Sequence, residues 1–80
     1  MKKELIEKEV IEIIEEFCCL GDEILLETEL DYDLGLDSLD MVEITMELEE
    51  RFNISIEDEE IANVKTVSDI VELVVAKKVD

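Results

Sequence analysis

The chain has 80 residues. Because a typical domain has about 100 to 200 residues, we expect one domain over residues 1–80. It carries 25 acidic and 7 basic residues and no histidine, so its net charge is 7 − 25 = −18. This charge argues against nucleic acid and anionic membrane surfaces as partners, and it favours basic patches on other proteins. Because like charges oppose self-association, we also expect a monomer.

No segment indicates export, membrane insertion or a metal site. The apolar runs are far shorter than the roughly 20 residues that a membrane-spanning helix needs. The first three residues lead into Glu4 rather than into an apolar run, so we expect no signal peptide and a cytoplasmic location. Cys18 and Cys19 are adjacent and form no disulfide framework, so they are interpreted as small apolar residues that close a helix. Without histidine, a zinc site is not expected.

The first element has the apolar spacing of a helix and is predicted to run from Lys3 to Phe17, stopping before Gly21 and Asp22. Its apolar face consists of Ile6, Val10, Ile13, Ile14 and Phe17. Residues 21–37 then form a long connection, a length that is uncommon and often functional. We expect its apolar residues to pin it to the core: Ile24, Leu25, Leu26, Leu30, Tyr32, Leu34 and Leu36.

The second helix is predicted to begin near Asp37 or Ser38 and to end near Phe52, with Asn53 as its stop. Asp and Ser are both preferred N-cap residues, and Ser38 taken alone is read as an ordinary cap.

A short third helix is predicted from Glu57 to Ala62, opened by Ser55 or Asp58. A fourth is predicted from Val67 to about Lys78. Its start has a variant capping box made by Thr66 and Asp69. Its apolar face is Ile70, Val71, Val74 and Val75. The fold class predicted from these elements is all-α: a small four-helix bundle, three main helices and one short helix, with a long loop between helices 1 and 2.

The second helix has two apolar faces. One stripe at helical spacing is formed by Met41, Ile44, Leu48 and Phe52, and it suffices to pack the helix on a small core. The other stripe is formed by Leu39, Val42 and Met46, with Glu43 and Glu50 beside it. An exposed apolar stripe edged by carboxylates is typical of a helix that docks into a groove of a partner. The alternative is that the long loop covers this second stripe.

The residues give little support to catalysis or to calcium binding. With no histidine, no serine has the usual base to activate it, so an enzyme is not expected. Asp31, Asp33 and Gly35 imitate the start of an EF-hand loop. However, Leu36 stands where that loop needs glycine, and Val42 stands where it needs glutamate.

Residues 33–40 read DLGLDSLD at the junction between the long loop and the second helix. This segment resembles the modification motif of the acyl carrier proteins. The resemblance extends over nearly the whole chain, since residues 42–44, 46, 48–50, 52, 58–60 and 66–67 continue in register with the family.

The resemblance implies that Ser38 carries a phosphopantetheine arm, flanked by Asp37 and Leu39. A holo-carrier synthase, the phosphopantetheinyl transferase, would take the arm from coenzyme A with magnesium as its own ion. The terminal thiol of the arm would hold acyl groups as thioesters during fatty acid biosynthesis. The carrier itself would not be catalytic and would have no metal site.

The resemblance also implies a partner-binding surface for fatty-acid-synthesis enzymes with basic docking patches. Acids on the second helix would meet Arg and Lys, while Leu39, Val42 and Met46 would fill shallow pockets. The full set implied is Asp37, Leu39, Asp40, Met41, Val42, Glu43, Met46, Glu47, Glu49 and Glu50.

Three other interpretations remain open at this point. The chain could be a carrier of the same fold for a polyketide, specialised lipid or amino-acid pathway. It could be an unmodified acidic helical adaptor, which would be indifferent to Ser38→Ala. It could, least in keeping with the residues, be a calcium sensor.

Overall fold

A computed structural model describes residues 2–17 and 23–78. Its helices are α1 (Lys3–Phe17), α2 (Ser38–Phe52), α3 (Asp58–Ala62) and α4 (Val67–Lys78). The predicted all-α class with a long α1–α2 loop is confirmed, and within the described residues the only β-type pairing is one isolated bridge, Glu29 to Thr66. The predictions for Cys18, Cys19, Gly21 and Asp22 lie outside the described residues.

The core lies between α1, α2 and α4. Each contributes the apolar stripe that its sequence predicts, because residues three and four apart share one side of a helix. The fully buried side chains of these helices are Ile6, Val10, Ile13, Ile14, Ile44, Leu48, Val67, Ile70, Val71 and Val74. The valine-rich α4 is a helix, and its apolar residues pack against α1 and α2.

Both ends of α2 are capped. Asp37 is the N-cap, and its Oδ1 accepts the backbone N–H of Asp40 at 2.9 Å, while Asp40 Oδ2 accepts the N–H of Asp37 at 3.2 Å. Asn53 closes the other end in the left-handed conformation, with φ 55°. Reading Ser38 as the cap is therefore wrong: Asp37 takes that role, and Ser38 is the first helical residue.

The start of α3 differs from the prediction. Glu57 is the N-cap, not Ser55 or Asp58. The backbone N–H of Glu57 donates to Glu60 Oε1 at 2.9 Å. The Glu60 carboxylate thus accepts the N-cap amide of α3, as the N3 residue of a capping box does.

The variant capping box of α4 is confirmed. Asp69 Oδ2 accepts the backbone N–H of Lys65 at 3.0 Å and of Thr66 at 3.1 Å. Thr66 Oγ1 accepts the N–H of Asp69 in return, at 3.2 Å. These bonds, led by the one from Lys65, hold the pKa of Asp69 below its ordinary value.

Asp69→Asn is expected to lower the free energy of unfolding at neutral pH by about 1 kcal/mol, since it weakens a helix cap. Because the folded-state pKa of Asp69 is lowered, the charged form contributes fully above its unfolded-state pKa. This contribution disappears as the pH falls through the lowered folded-state pKa. Urea titrations of both proteins over a pH series measure this. A wild-type advantage that grew towards acid would contradict it.

The long loop is pinned both by apolar residues and by its backbone. Ile24, Leu30 and Leu36 are buried as predicted. Leu25 and Tyr32 are 44% and 84% exposed, so the prediction that they pin the loop is wrong. Three backbone hydrogen bonds join the loop to the start of α4 and the residues before it: Leu30 N to Lys65 O (2.9 Å), Val67 N to Thr28 O (3.1 Å) and Ser68 N to Leu26 O (2.8 Å).

Candidate attachment site and docking surface

Ser38 occupies the first turn of α2, and its side chain is exposed. The loop reaches this point through Gly35, whose φ is 68°. No atom of the described residues lies within 4 Å of the position a Cβ would take there, so glycine is needed for the backbone conformation and not for space. The turn and the Asp37 cap together place the Ser38 hydroxyl at the N-terminal end of a capped helix.

A cavity of about 450 Å³ opens beside Ser38. Small-ligand sites typically have about 300 to 1,000 Å³. Its walls come from the loop, from α2, and from α3 with the residues after it. The lining is Leu30, Asp31, Leu36, Asp37, Ser38, Met41, Val42, Asp58, Ile61, Ala62, Val64 and Lys65.

The lining of the cavity combines buried apolar side chains with exposed charged ones. Leu30 and Leu36 are buried, while Asp31, Asp37 and Asp58 are exposed. Among the described residues of the lining, Lys65 is the one cation, and it lies next to the α4 cap. The interior of the cavity suits an apolar chain, and the opening beside Ser38 suits a polar group that is attached to this residue.

The outer face of α2 is exposed as predicted. Leu39, Val42 and Met46 are 68%, 50% and 59% exposed, whereas Ile44 and Leu48 on the inner face are fully buried. Glu43 and Glu50 are exposed beside the outer stripe, and Glu47 is half-buried. The described part of the long loop, residues 23–37, therefore does not cover the second stripe.

Three residues of the predicted partner-binding set are half-buried and also make contacts within the chain. Asp40 is half-buried and belongs to the α2 capping box. Met41 is half-buried against the core and lines the cavity. Glu49 is half-buried, and its Oε2 accepts the backbone N–H of Ile56 at 2.8 Å.

The far wall of the cavity was not predicted from the sequence; it is made by Asp58, Ile61, Ala62, Val64 and Lys65. The apolar pair at positions 61 and 64, three residues apart, was a weak signal for it. A helix of five residues is too short to show a periodic face.

The described residues contain no cluster of ligands suited to a metal ion. Within residues 2–17 and 23–78, no helix has the length and apolar character that crossing a bilayer requires.

Comparison with known proteins identifies the class. A family model described as a phosphopantetheine attachment site matches residues 8–74. The acyl carrier protein of Wolinella succinogenes is 44% identical over 71 residues, covering 89% of this chain and 91% of that protein. The acyl carrier protein of Petrotoga mobilis is 40% identical over 76 residues, covering 95% and 89% respectively.

Solved structures agree with this. The crystal structure of an acyl carrier protein from Thermotoga maritima has a TM-score of 0.77 at 30% identity, and the match covers 96% of this chain and 91% of that one. A mitochondrial acyl carrier protein from Toxoplasma has a TM-score of 0.88 over 99% and 93% of the two chains. Its identity of 23% supports the fold alone.

The fold and the family match define a carrier of the class that bears phosphopantetheine. The chain belongs to the acyl carrier protein family. Its role is that of a non-catalytic acyl carrier with phosphopantetheine as its cofactor, and fatty acid synthesis fits its likeness to bacterial members. Membership implies interaction with fatty-acid-synthesis enzymes and with a phosphopantetheinyl transferase.

Proposed function

We propose that Ser38 is the attachment residue and that the chain presents acyl groups to its partner enzymes from this point. The observation that supports this most is the exposed Ser38 side chain in the first turn of α2, at the edge of an apolar cavity of about 450 Å³. The arm supplies a terminal thiol that holds an acyl group as a thioester.

Attachment requires an accessible hydroxyl and tolerance of a phosphodiester. Ser38 Oγ would bond to the phosphorus of the pantetheine phosphate, and the pyrophosphate bond of coenzyme A would break. Adenosine bisphosphate would leave, and the hydroxyl proton would pass to the transferase and solvent. Helix N-termini favour attached phosphate because their first amides point outward, and the first turn of α2 offers this environment.

The cavity is suited to bury part of the acyl chain. Leu30, Leu36, Met41 and Ile61 would surround an alkyl chain, and the removal of its surface from water would favour the buried state. A chain drawn out into a partner enzyme would leave along the side of α2 on which Ser38 lies.

The outer face of α2 is proposed as the docking surface. Leu39, Val42 and Met46 would enter shallow apolar pockets of the partner, while Glu43, Glu47 and Glu50 would meet Arg and Lys around them. Asp37 and Asp40 would add charge beside Ser38. Such contacts should form rapidly, dissociate rapidly and weaken with salt.

We further propose that the domain acts as a cytoplasmic monomer over residues 1–80. A net charge of −18 opposes association of identical copies, whereas it attracts partners with basic surfaces.

Attachment is tested by intact mass after incubation with coenzyme A, magnesium and a broad-specificity phosphopantetheinyl transferase. The wild type and Ser55→Ala are expected to gain one phosphopantetheine, and Ser38→Ala to gain none. Ser55 is a suitable control because it is exposed and lies outside the cavity lining. Absence of any gain in the folded wild type would favour the unmodified acidic adaptor.

A further inference from the structure

Within the α3 wall of the cavity, Ile61 is the one helix residue that packs against the core, and it is only partly buried. α3 has five residues and none of them is buried. Asp58, Ile61 and Ala62 nevertheless line the cavity. A single short helical turn has little stability in isolation, so the position of this wall depends on what ties it to the rest of the domain.

One tie runs from α4 to Glu60. Lys77 Nζ donates to Glu60 Oε1 at 2.8 Å, and this same oxygen accepts the backbone N–H of Glu57 at 2.9 Å. The Lys77 and Glu60 side chains are only 29% and 30% exposed, which favours a stronger pair than a fully exposed one. The hydrogen bond from Lys77, followed by that from Glu57, keeps the pKa of Glu60 below its ordinary value. One carboxylate oxygen of Glu60 therefore both accepts the N-cap amide of α3 and forms an ion pair with Lys77 on α4.

Charge makes this tie more important. Residues 57–60 are four consecutive acids, which repel one another in the ordered segment. Among the described residues, Lys77 is the one cation within salt-bridge distance of this run. Loss of its charge would leave the repulsion uncompensated at the cavity wall.

The other end of the segment is held independently. Ile56 is buried, and its backbone N–H donates to Glu49 Oε2 on α2 at 2.8 Å. Loss of the Lys77–Glu60 ion pair would therefore let α3 pivot about its fixed N-terminal end, while the domain stayed folded.

We infer that the Lys77–Glu60 pair positions α3 against the cavity and thereby controls how readily the cavity opens to an acyl chain. The statement about the acyl chain rests on the proposed function. The tie itself is measurable in the unmodified protein.

The first test is amide hydrogen exchange of the unmodified wild type, Lys77→Met and Lys78→Met. Lys78→Met is the matched control because it removes the same charge from the next residue, which has no ion pair with a described residue. Lys77→Met is expected to speed amide exchange over residues 58–64 by about twofold to fivefold. This factor corresponds to the small free energy that one partly exposed ion pair contributes. Core amides of α1 and the Lys78→Met protein should be unchanged. Equal rates in wild type and Lys77→Met, or an equal effect of Lys78→Met, would overturn the tie.

The second test uses the octanoyl-loaded forms of the same proteins and of Glu60→Gln, which keeps an acceptor for Glu57 N but loses the ion pair. Cleavage of the thioester by hydroxylamine is expected to be about twofold to fivefold faster in Lys77→Met and Glu60→Gln than in Lys78→Met. Faster exchange without faster cleavage would overturn control of the cavity. If no octanoyl form could be made, the proposed function would fail, and the exchange measurement would still decide the tie.

Discussion

Leu48→Ala is expected to lower the free energy of unfolding by about 2–5 kcal/mol, because it removes a buried side chain and leaves a cavity. Leu48 is fully buried between α2 and the other core helices. A domain of 80 residues has a total stability of about 4–12 kcal/mol at about 0.05–0.15 kcal/mol per residue. The substitution should therefore remove a large part of the stability, and urea denaturation measures it.

Met46→Ala is the control for this prediction. Met46 lies on the same helix two residues earlier but is 59% exposed. Its truncation should change the free energy of unfolding by less than about 0.5 kcal/mol. Equal losses in the two variants would mean that α2 does not have one buried and one free face.

Met46→Asp is expected to reduce kcat/KM of the transferase for this carrier about tenfold or more, since a charge would replace an apolar contact at the centre of the docking face. Met46 is eight residues from Ser38, or roughly 12 Å along a helix, so the hydroxyl itself should be unaffected. The free energy of unfolding should change little, because the position is exposed.

Leu5→Asp supplies the matched control for docking. Leu5 is 51% exposed, lies on α1 and receives the same change of charge. It should leave kcat/KM unchanged. A similar loss in both variants would mean that added negative charge acts at long range, and the outer face of α2 would lose its assigned role.

Much of the fold follows from sequence because its signals are local. The bounds of α1 and the buried stripe of α2 follow from apolar spacing, since each side chain's direction is set by the helix itself. Asn53 and the Thr66–Asp69 pair were predictable because a cap depends on residues within a few positions. The choice between Asp37 and Ser38 as N-cap was not, because both residues suit the role equally.

What escaped prediction depends on contacts between distant segments. The backbone bonds from Leu30 to Lys65 and from Val67 to Thr28 have no side-chain signature, although they bring the loop to one side of the cavity. Glu49 fits an outward acidic face by spacing, yet it bonds to Ile56 because the chain turns back after Asn53. The Lys77–Glu60 pair joins residues 17 positions apart. Nothing local in the sequence distinguishes Glu60, among the 25 acids, as the partner of Lys77.

Loading an acyl group and locating it in a single experiment decides whether Ser38 carries the arm. The folded protein is incubated with octanoyl-coenzyme A, magnesium and the transferase, and it is then digested. The masses of its peptides are measured before and after treatment with hydroxylamine. We predict one octanoyl-phosphopantetheine on the peptide that contains Ser38, from which hydroxylamine removes the octanoyl group and leaves the arm. No added mass under conditions that modify an established carrier, or added mass on the peptide of Ser55 or Ser68, would rule out Ser38 as the attachment residue.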